Sequence, residues 1–155
     1  RLCDQKLLEE NKSREWGEAR LRDKVGTLIK ARLELVEEKE LVRRATTLFA
    51  LPQNNLTGLK LIWETSDIIW KIAGDTSNDI NWYTKRTTLS AVYGAVVLFW
   101  LGDNSSESEK TWEFVDRRLA DVMGFEKFKS TLAFTDLLFN VLIGFAFLTL
   151  RRRSV

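Results

Sequence analysis

The sequence predicts an all-α domain. One Pro and 8 Gly in 155 residues are too few for the many tight turns of an all-β chain. Apolar residues recur at three- and four-residue spacing, the period of a helix with one buried face. Four of these segments end at a helix-stopping residue: Pro52, Gly74, Gly102 or Gly124. A hydrophobic content of 45% against a charged content of 30% fits one ordered domain with a real core.

The elements follow in order. Asp4 to Asn11 is polar and reads as a short helix or a frayed end. Glu15 to Val36 carries Trp16, Ala19, Val25, Leu28, Ile29 and Leu33 on roughly one face, which predicts a helix over that whole stretch. Glu38 to Leu51 is a shorter helix that stops before Pro52, because proline disfavours helix in the residue ahead of it. Gln53-Asn54-Asn55 is a capping turn, and the next helix runs to Gly74. Its face Leu59, Ile62, Trp63, Ser66, Ile69, Trp70 and Ala73 is joined by a second apolar face of Leu61, Ile68 and Ile72, which predicts a central helix. Gly74 occupies the position that favours a left-handed residue.

Thr76 to Asp79 resembles a capping box with Asp in place of Glu, and the helix after it stops near Leu101. Its small residues Ser90, Ala91, Gly94 and Ala95 permit close helix approach or room for a ligand. Ser106-Glu107-Ser108-Glu109 matches a capping box opening a helix from Ser108 to Met123. Asp116, Arg117, Arg118 and Asp121 read as its solvated face.

The tail is greasier. Leu137 to Leu150 has only Asn140 and Thr149 as polar side chains, and each large apolar residue hidden from water stabilises by about 1.5–3 kcal/mol. Three readings stay open: a core or dimer-seam helix, a helix lying in the membrane interface, or a span, which needs about 20 apolar residues. In the interfacial reading Arg151, Arg152 and Arg153 contact anionic lipid.

Composition also excludes functions. A net charge of +2, with a basic tract only at 151–153, argues against nucleic acid. No His is present, which removes the usual general base, His-ligated metals and an ordinary di-iron bundle; no cofactor is expected. The single Cys3 excludes an internal disulfide framework.

The most distinctive stretch is Gly74 to Arg86, GDTSNDINWYTKR. Trp82 and Tyr83 are adjacent, so on a helix they point about 100° apart. Either Asp79 caps the helix while Trp82 fills the core, or both rings flank a patch rimmed by Asp75 and Asp79. Lys85 or Arg86 then stacks on a ring or pairs with the carboxylates.

That stretch, with LFALPQN before it and FWLGDNSSESEKTWEFVDRRLADVM after it, resembles the coenzyme Q biosynthesis lipid-binding proteins, the ninth protein of the ubiquinone pathway. The resemblance spans roughly Leu21 to Met123. It implies a TetR-like ligand-binding helical domain over 1–124, with this chain expected to depart from the family by lacking most of the N-terminal helix-turn-helix section, and a membrane-contacting amphipathic helix over 125–155. It implies a non-catalytic protein that holds a lipid or quinone intermediate and presents it to the di-iron demethoxyubiquinone hydroxylase. Its setting would be the matrix face of the mitochondrial inner membrane, or the cytoplasmic face of a bacterial membrane, as a homodimer or higher oligomer. Carried over by motif, the partner-facing residues are Trp70, Gly74, Asp75, Asp79, Trp82 and Tyr83. Tyr93, Val97 and Trp100 are candidate lipid-lining residues. Leu138, Val141, Leu142, Phe145, Leu148 and Arg151 to Arg153 are candidate membrane contacts. The competing reading is a structural subunit of a mitochondrial membrane complex that retains the fold.

Overall fold

In the computed structural model the described residues are 2–122, and they are all helical or loop. The tail residues named above as membrane contacts, and the division at residue 124, lie outside them. The elements are α1 (Leu2–Asn11), α2 (Leu21–Glu34), α3 (Lys39–Phe49), α4 (Asn55–Ile72), α5 (Ile80–Gly102), a short 3-10 turn (Ser106–Ser108) and α6 (109–122).

α4 is central, as its two apolar faces predict: it packs on α1, α2, α3 and α5. Ile69 is fully enclosed, and Val25, Leu28, Ile29, Val96, Val115 and Leu119 fill the interior around it. The small residues of α5 serve close approach. Ser90 donates to Ser66 across 3.1 Å, and a Cβ on Gly94 would already touch Ile62. Gly26 does the same between α2 and Leu119 of α6.

α1 is a docked helix. Asp4, Leu7 and Asn11 fall on one side and are buried. The Asp4 carboxylate accepts from Arg32 Nε at 2.6 Å and from Thr65 Oγ1 at 3.1 Å, tying α1 to α2 and α4.

The helix expected from Glu15 begins instead at Leu21, preceded by Arg20 in an extended conformation. Gly17 sits at φ +49°, which breaks any helix through it. Trp16 is therefore off the helix. Its indole donates to the Ile72 carbonyl at 3.1 Å, and Arg14 lies over its ring.

The capping box expected at Ser106–Glu109 does not form. Glu107 and Ser108 both have positive φ, 50° and 57°, which aims their backbone away from a helical start. Asp103 takes over. Its carboxylate accepts from the Thr111 amide at 2.9 Å, the Thr111 hydroxyl at 2.6 Å, and Ser105. Those bonds, Thr111 foremost, hold the Asp103 carboxyl well below the usual carboxylate range. The last carbonyls of α5 are met by cations of α3 and its N-terminal end: Lys39 Nζ donates to Asp103 O and Arg43 to Leu101 O, both at 2.7 Å.

Candidate functional site

The corner between α4 and α5 contains the signature stretch. α4 closes on Gly74 at φ +88°, with the Gly74 amide donating to Lys71 O and the Asp75 amide to Trp70 O. This paired closure is a Schellman motif, and it needs a residue free to adopt positive φ. α5 opens on Asp79, whose carboxylate accepts from the Asn81 amide at 2.9 Å. Asp79 is thus the cap itself, rather than the third residue of a Thr76 capping box.

Between those two turns lies an enclosed ionic lock. The Arg86 guanidinium is 1% exposed. It donates to Asp67 at 2.6 Å, to Asp75 at 2.9 Å and to the Trp82 carbonyl at 3.3 Å, and it lies 4.1 Å over the Trp82 ring. Lys85 reaches Asp75 at 2.8 Å and Lys71 reaches Asp67 at 2.6 Å. Burial alone would raise the Asp75 pKa. Hydrogen bonds from Lys85, Arg86 and Ser77 outweigh it and hold the carboxyl far below the usual carboxylate range. Asp67 is lowered too: Lys71 and Arg86 overcome its desolvation.

The sequence pairs Lys85 and Arg86 with either a ring or the carboxylates; Arg86 does both at once. Of the six partner-patch candidates, Trp70 and the Asp75 carboxylate turn inward. Trp70 is buried and its indole donates to Lys85 O at 3.0 Å. They are scaffolding for the corner, not its outer surface. Gly74, Asp79 and Tyr83 are exposed, and Trp82 is half-buried between Trp63 and Tyr83, edge to face with each.

A second feature is an open cleft of about 670 Å³ between the end of α2, the end of α5 and the 3-10 turn. Leu33, Val36, Trp100 and Trp112 form its apolar walls, with Lys30, Glu34 and Glu107 at its polar edge. Lys39 sits 5.0 Å over Trp100, and Lys30 sits 5.2 Å over Trp112. Trp112 is fixed by a 2.8 Å bond from its indole to Glu107 O. A cleft of this size falls within the range of small-molecule sites.

The three lipid-lining candidates separate. Trp100 lines the cleft, whereas Tyr93 and Val97 do not. Tyr93 is buried beside Asp4, Arg32 and Cys3, and burial pushes its phenol up to about 12. The residues that sequence reading missed are Trp112, Leu33 and Val36. Trp112 had a signal, since its place four residues after Ser108 puts it on the first turn of α6. Leu33 and Val36 carry none, because a helix end looks the same whether it meets solvent or a cleft. Among the described residues no group of His, Cys, Asp or Glu is placed to hold a metal ion, and no helix is long and apolar enough to cross a membrane.

The helices adopt the fold of a TetR-type helical domain. A TetR transcriptional regulator from Nitrosomonas europaea superposes with a TM-score of 0.61 at 19% identity, over 77% of this chain and 66% of that one. At that identity the likeness speaks for the fold alone. Residues 56–126 match the COQ9 family model. It is 38% identical over 103 residues to the mitochondrial ubiquinone biosynthesis protein COQ9 of Rattus norvegicus, covering 66% of this chain and 32% of that protein. The human protein of the same name gives 37% over 103 residues, 66% of this chain and 31% of that protein. A probable ubiquinone biosynthesis protein coq9 of Dictyostelium discoideum gives 36% over 114 residues, 72% and 36% of the two chains. The chain therefore spans about a third of the length of the curated relatives it matches.

Proposed function

We propose that this chain is a non-catalytic, lipid-binding accessory protein of ubiquinone biosynthesis. In this reading it works at the matrix face of the mitochondrial inner membrane and presents quinone intermediates to the demethoxyubiquinone hydroxylase. The observation that carries the reading is the cleft: two tryptophans and two aliphatic residues line an open space of about 670 Å³ in a chain that matches the COQ9 family model over residues 56–126. Such walls bind by hydrophobic burial, about 25 cal/mol per Å² of apolar surface covered, with no bond made or broken. Lys30, over the Trp112 ring at the cleft's edge, offers a donor to an oxygen substituent of a quinone head.

The hydroxylase contact falls to the outer side of the α4–α5 corner. Tyr83, the open edge of Trp82, Asp79 and Gly74 form it, held in place by Arg86, Asp75 and Trp70 beneath. A Trp-Tyr pair on a rigid base is the residue chemistry that anchors protein interfaces. The tail at 125–155 is assigned the membrane contact on its composition.

Native mass spectrometry of the full chain after gentle extraction tests the reading. The expected result is a population carrying an isoprenoid or quinone mass. A chain that stays lipid-free under every extraction, and co-purifies at fixed stoichiometry with a large assembly, is a structural subunit instead.

A further inference from the structure

A tryptophan side chain has a single polar group, an indole N–H that can only donate, and a buried one ordinarily finds an acceptor. Trp16 donates to Ile72 O at 3.1 Å, Trp70 to Lys85 O at 3.0 Å and Trp112 to Glu107 O at 2.8 Å. Trp63 and Trp82 are half-buried and open to water. Trp100 is the exception. It is 7% exposed, and among the described residues no acceptor meets its N–H. Nor is that N–H sealed in the core. Among the described residues Arg22 Nε is the one sealed side-chain polar atom without a partner. The Trp100 N–H therefore opens on accessible space, and the space that Trp100 lines is the cleft.

The surroundings favour one kind of acceptor. Leu33, Val36 and the Trp112 ring make the adjoining walls apolar, so the acceptor arrives on a greasy body. The cleft's edge carries Glu34, Glu107 and Glu109 against the single cation Lys30, which is 3.8 Å from Glu34. A carboxylate or phosphate head meets like charge there, which favours an uncharged oxygen. Lys39 lies 5.0 Å over the Trp100 ring, with its Nζ donating to Asp103 O. A cation over the ring draws electron density towards itself and strengthens the N–H as a donor.

A donor in such a wall discriminates by omission. A guest without an acceptor covers the N–H, displaces its water and leaves it unpaired; a guest with an acceptor restores the bond.

We infer that the Trp100 indole N–H is the orienting donor of the cleft, and that it takes an uncharged carbonyl oxygen on an apolar ring. The inference rests on the carrier reading and adds which end of the guest enters. With its oxygen on Trp100, the ring lies against the tryptophan walls and the hydrocarbon chain leaves by the open side.

Equilibrium binding of the full chain to duroquinone and to durene, the same methylated ring without its carbonyls, tests it. Trp100→Phe removes the N–H and keeps an aromatic wall. It should weaken duroquinone about tenfold more than durene. The Trp100 indole resonance of the unsubstituted chain, followed by nitrogen–proton correlation NMR, gives a reading that needs no variant. It should move downfield with duroquinone and not with durene. Equal losses for both probes, with an indole resonance that responds alike to both, overturn the inference while leaving an occupied cleft. So does a preference for duroquinone that vanishes in Lys30→Met and survives in Trp100→Phe, since the lysine is then the donor. If neither probe moves the Trp100 or Trp112 indole resonance, the cleft takes no such guest and the carrier reading falls with the inference.

Discussion

Two regions of this molecule place a tryptophan pair beside basic side chains, and they use that chemistry in opposite ways. At the α4–α5 corner, Trp70 and Trp82 sit with Lys85 and Arg86 in a network where every charge has a partner. At the cleft, Trp100 and Trp112 sit with Lys39 and Lys30 around open space. The first arrangement is saturated; the second leaves Trp112 half-buried at the edge of open space. Residue type alone does not distinguish a lock from a binding wall. What distinguishes them is the burial of the paired charges. Arg86 is enclosed between Asp67 and Asp75 at the corner, whereas Lys30 meets Glu34 at 3.8 Å on the exposed edge of the cleft.

The comparison breaks most visibly at Arg86. Replacing it by Met leaves two carboxylates beside apolar surface without their shared cation, which costs about 3–5 kcal/mol. Urea denaturation of the Arg86→Met chain should show that loss; a change below about 1 kcal/mol would mean the lock is no lock.

At the cleft the expected effects reverse. Trp112→Ala removes a half-buried wall, so stability should fall by only about 1 kcal/mol, while affinity for a prenylated quinone should drop about tenfold. Equilibrium binding and denaturation on the same preparation check both numbers. A large stability loss with unchanged affinity would move Trp112 into the scaffold.

Acid sharpens the contrast further. The pKa values of Asp67 and Asp75 are held below the usual carboxylate range, so the folded state binds fewer protons than the unfolded chain as pH drops. Their stabilisation is complete above the ordinary carboxylate pKa of about 4 and is lost as pH falls below it. The Arg86→Met chain should show a flatter acid dependence of its urea midpoint. Tyr93 works at the other end. Its phenol is pushed up to about 12, so its contribution is intact below pH 10 and lost as pH rises towards 12.

The smallest effect belongs to Tyr83. With its side chain outside, Tyr83→Ala should shift stability by no more than about 0.5 kcal/mol. Pull-down by the demethoxyubiquinone hydroxylase should nonetheless weaken. Unchanged capture would remove the corner from the partner interface.

Much of the fold was legible because local chemistry marks it. Pro52, Gly74 and Gly102 punctuate the helices near where they end, and the double apolar face of α4 announces the central helix. What sequence hid was long-range. Arg86 meets Asp67 from nineteen positions away on another helix, a pairing no periodicity reveals. The cap on α6 comes from Asp103, eight residues before the amide it satisfies, while a good local capping-box pattern stands unused at Ser106. Trp16 fits the amphipathic face of α2 on paper, yet Gly17 takes it off the helix. The site divided in the same way. The signature stretch located the corner, but its sidedness depended on Asp67 and Arg86; the cleft depended on helix ends meeting in space.

The central claim is that this domain holds an oily guest in the Trp100–Trp112 cleft. Titrating the full chain with a short-tailed ubiquinone and following tryptophan fluorescence tests it directly, since a bound quinone quenches nearby indoles. The account predicts saturable quenching that largely disappears in the Trp100→Phe, Trp112→Phe chain. Quenching that rises linearly without saturation, or that is the same in both chains, would contradict it.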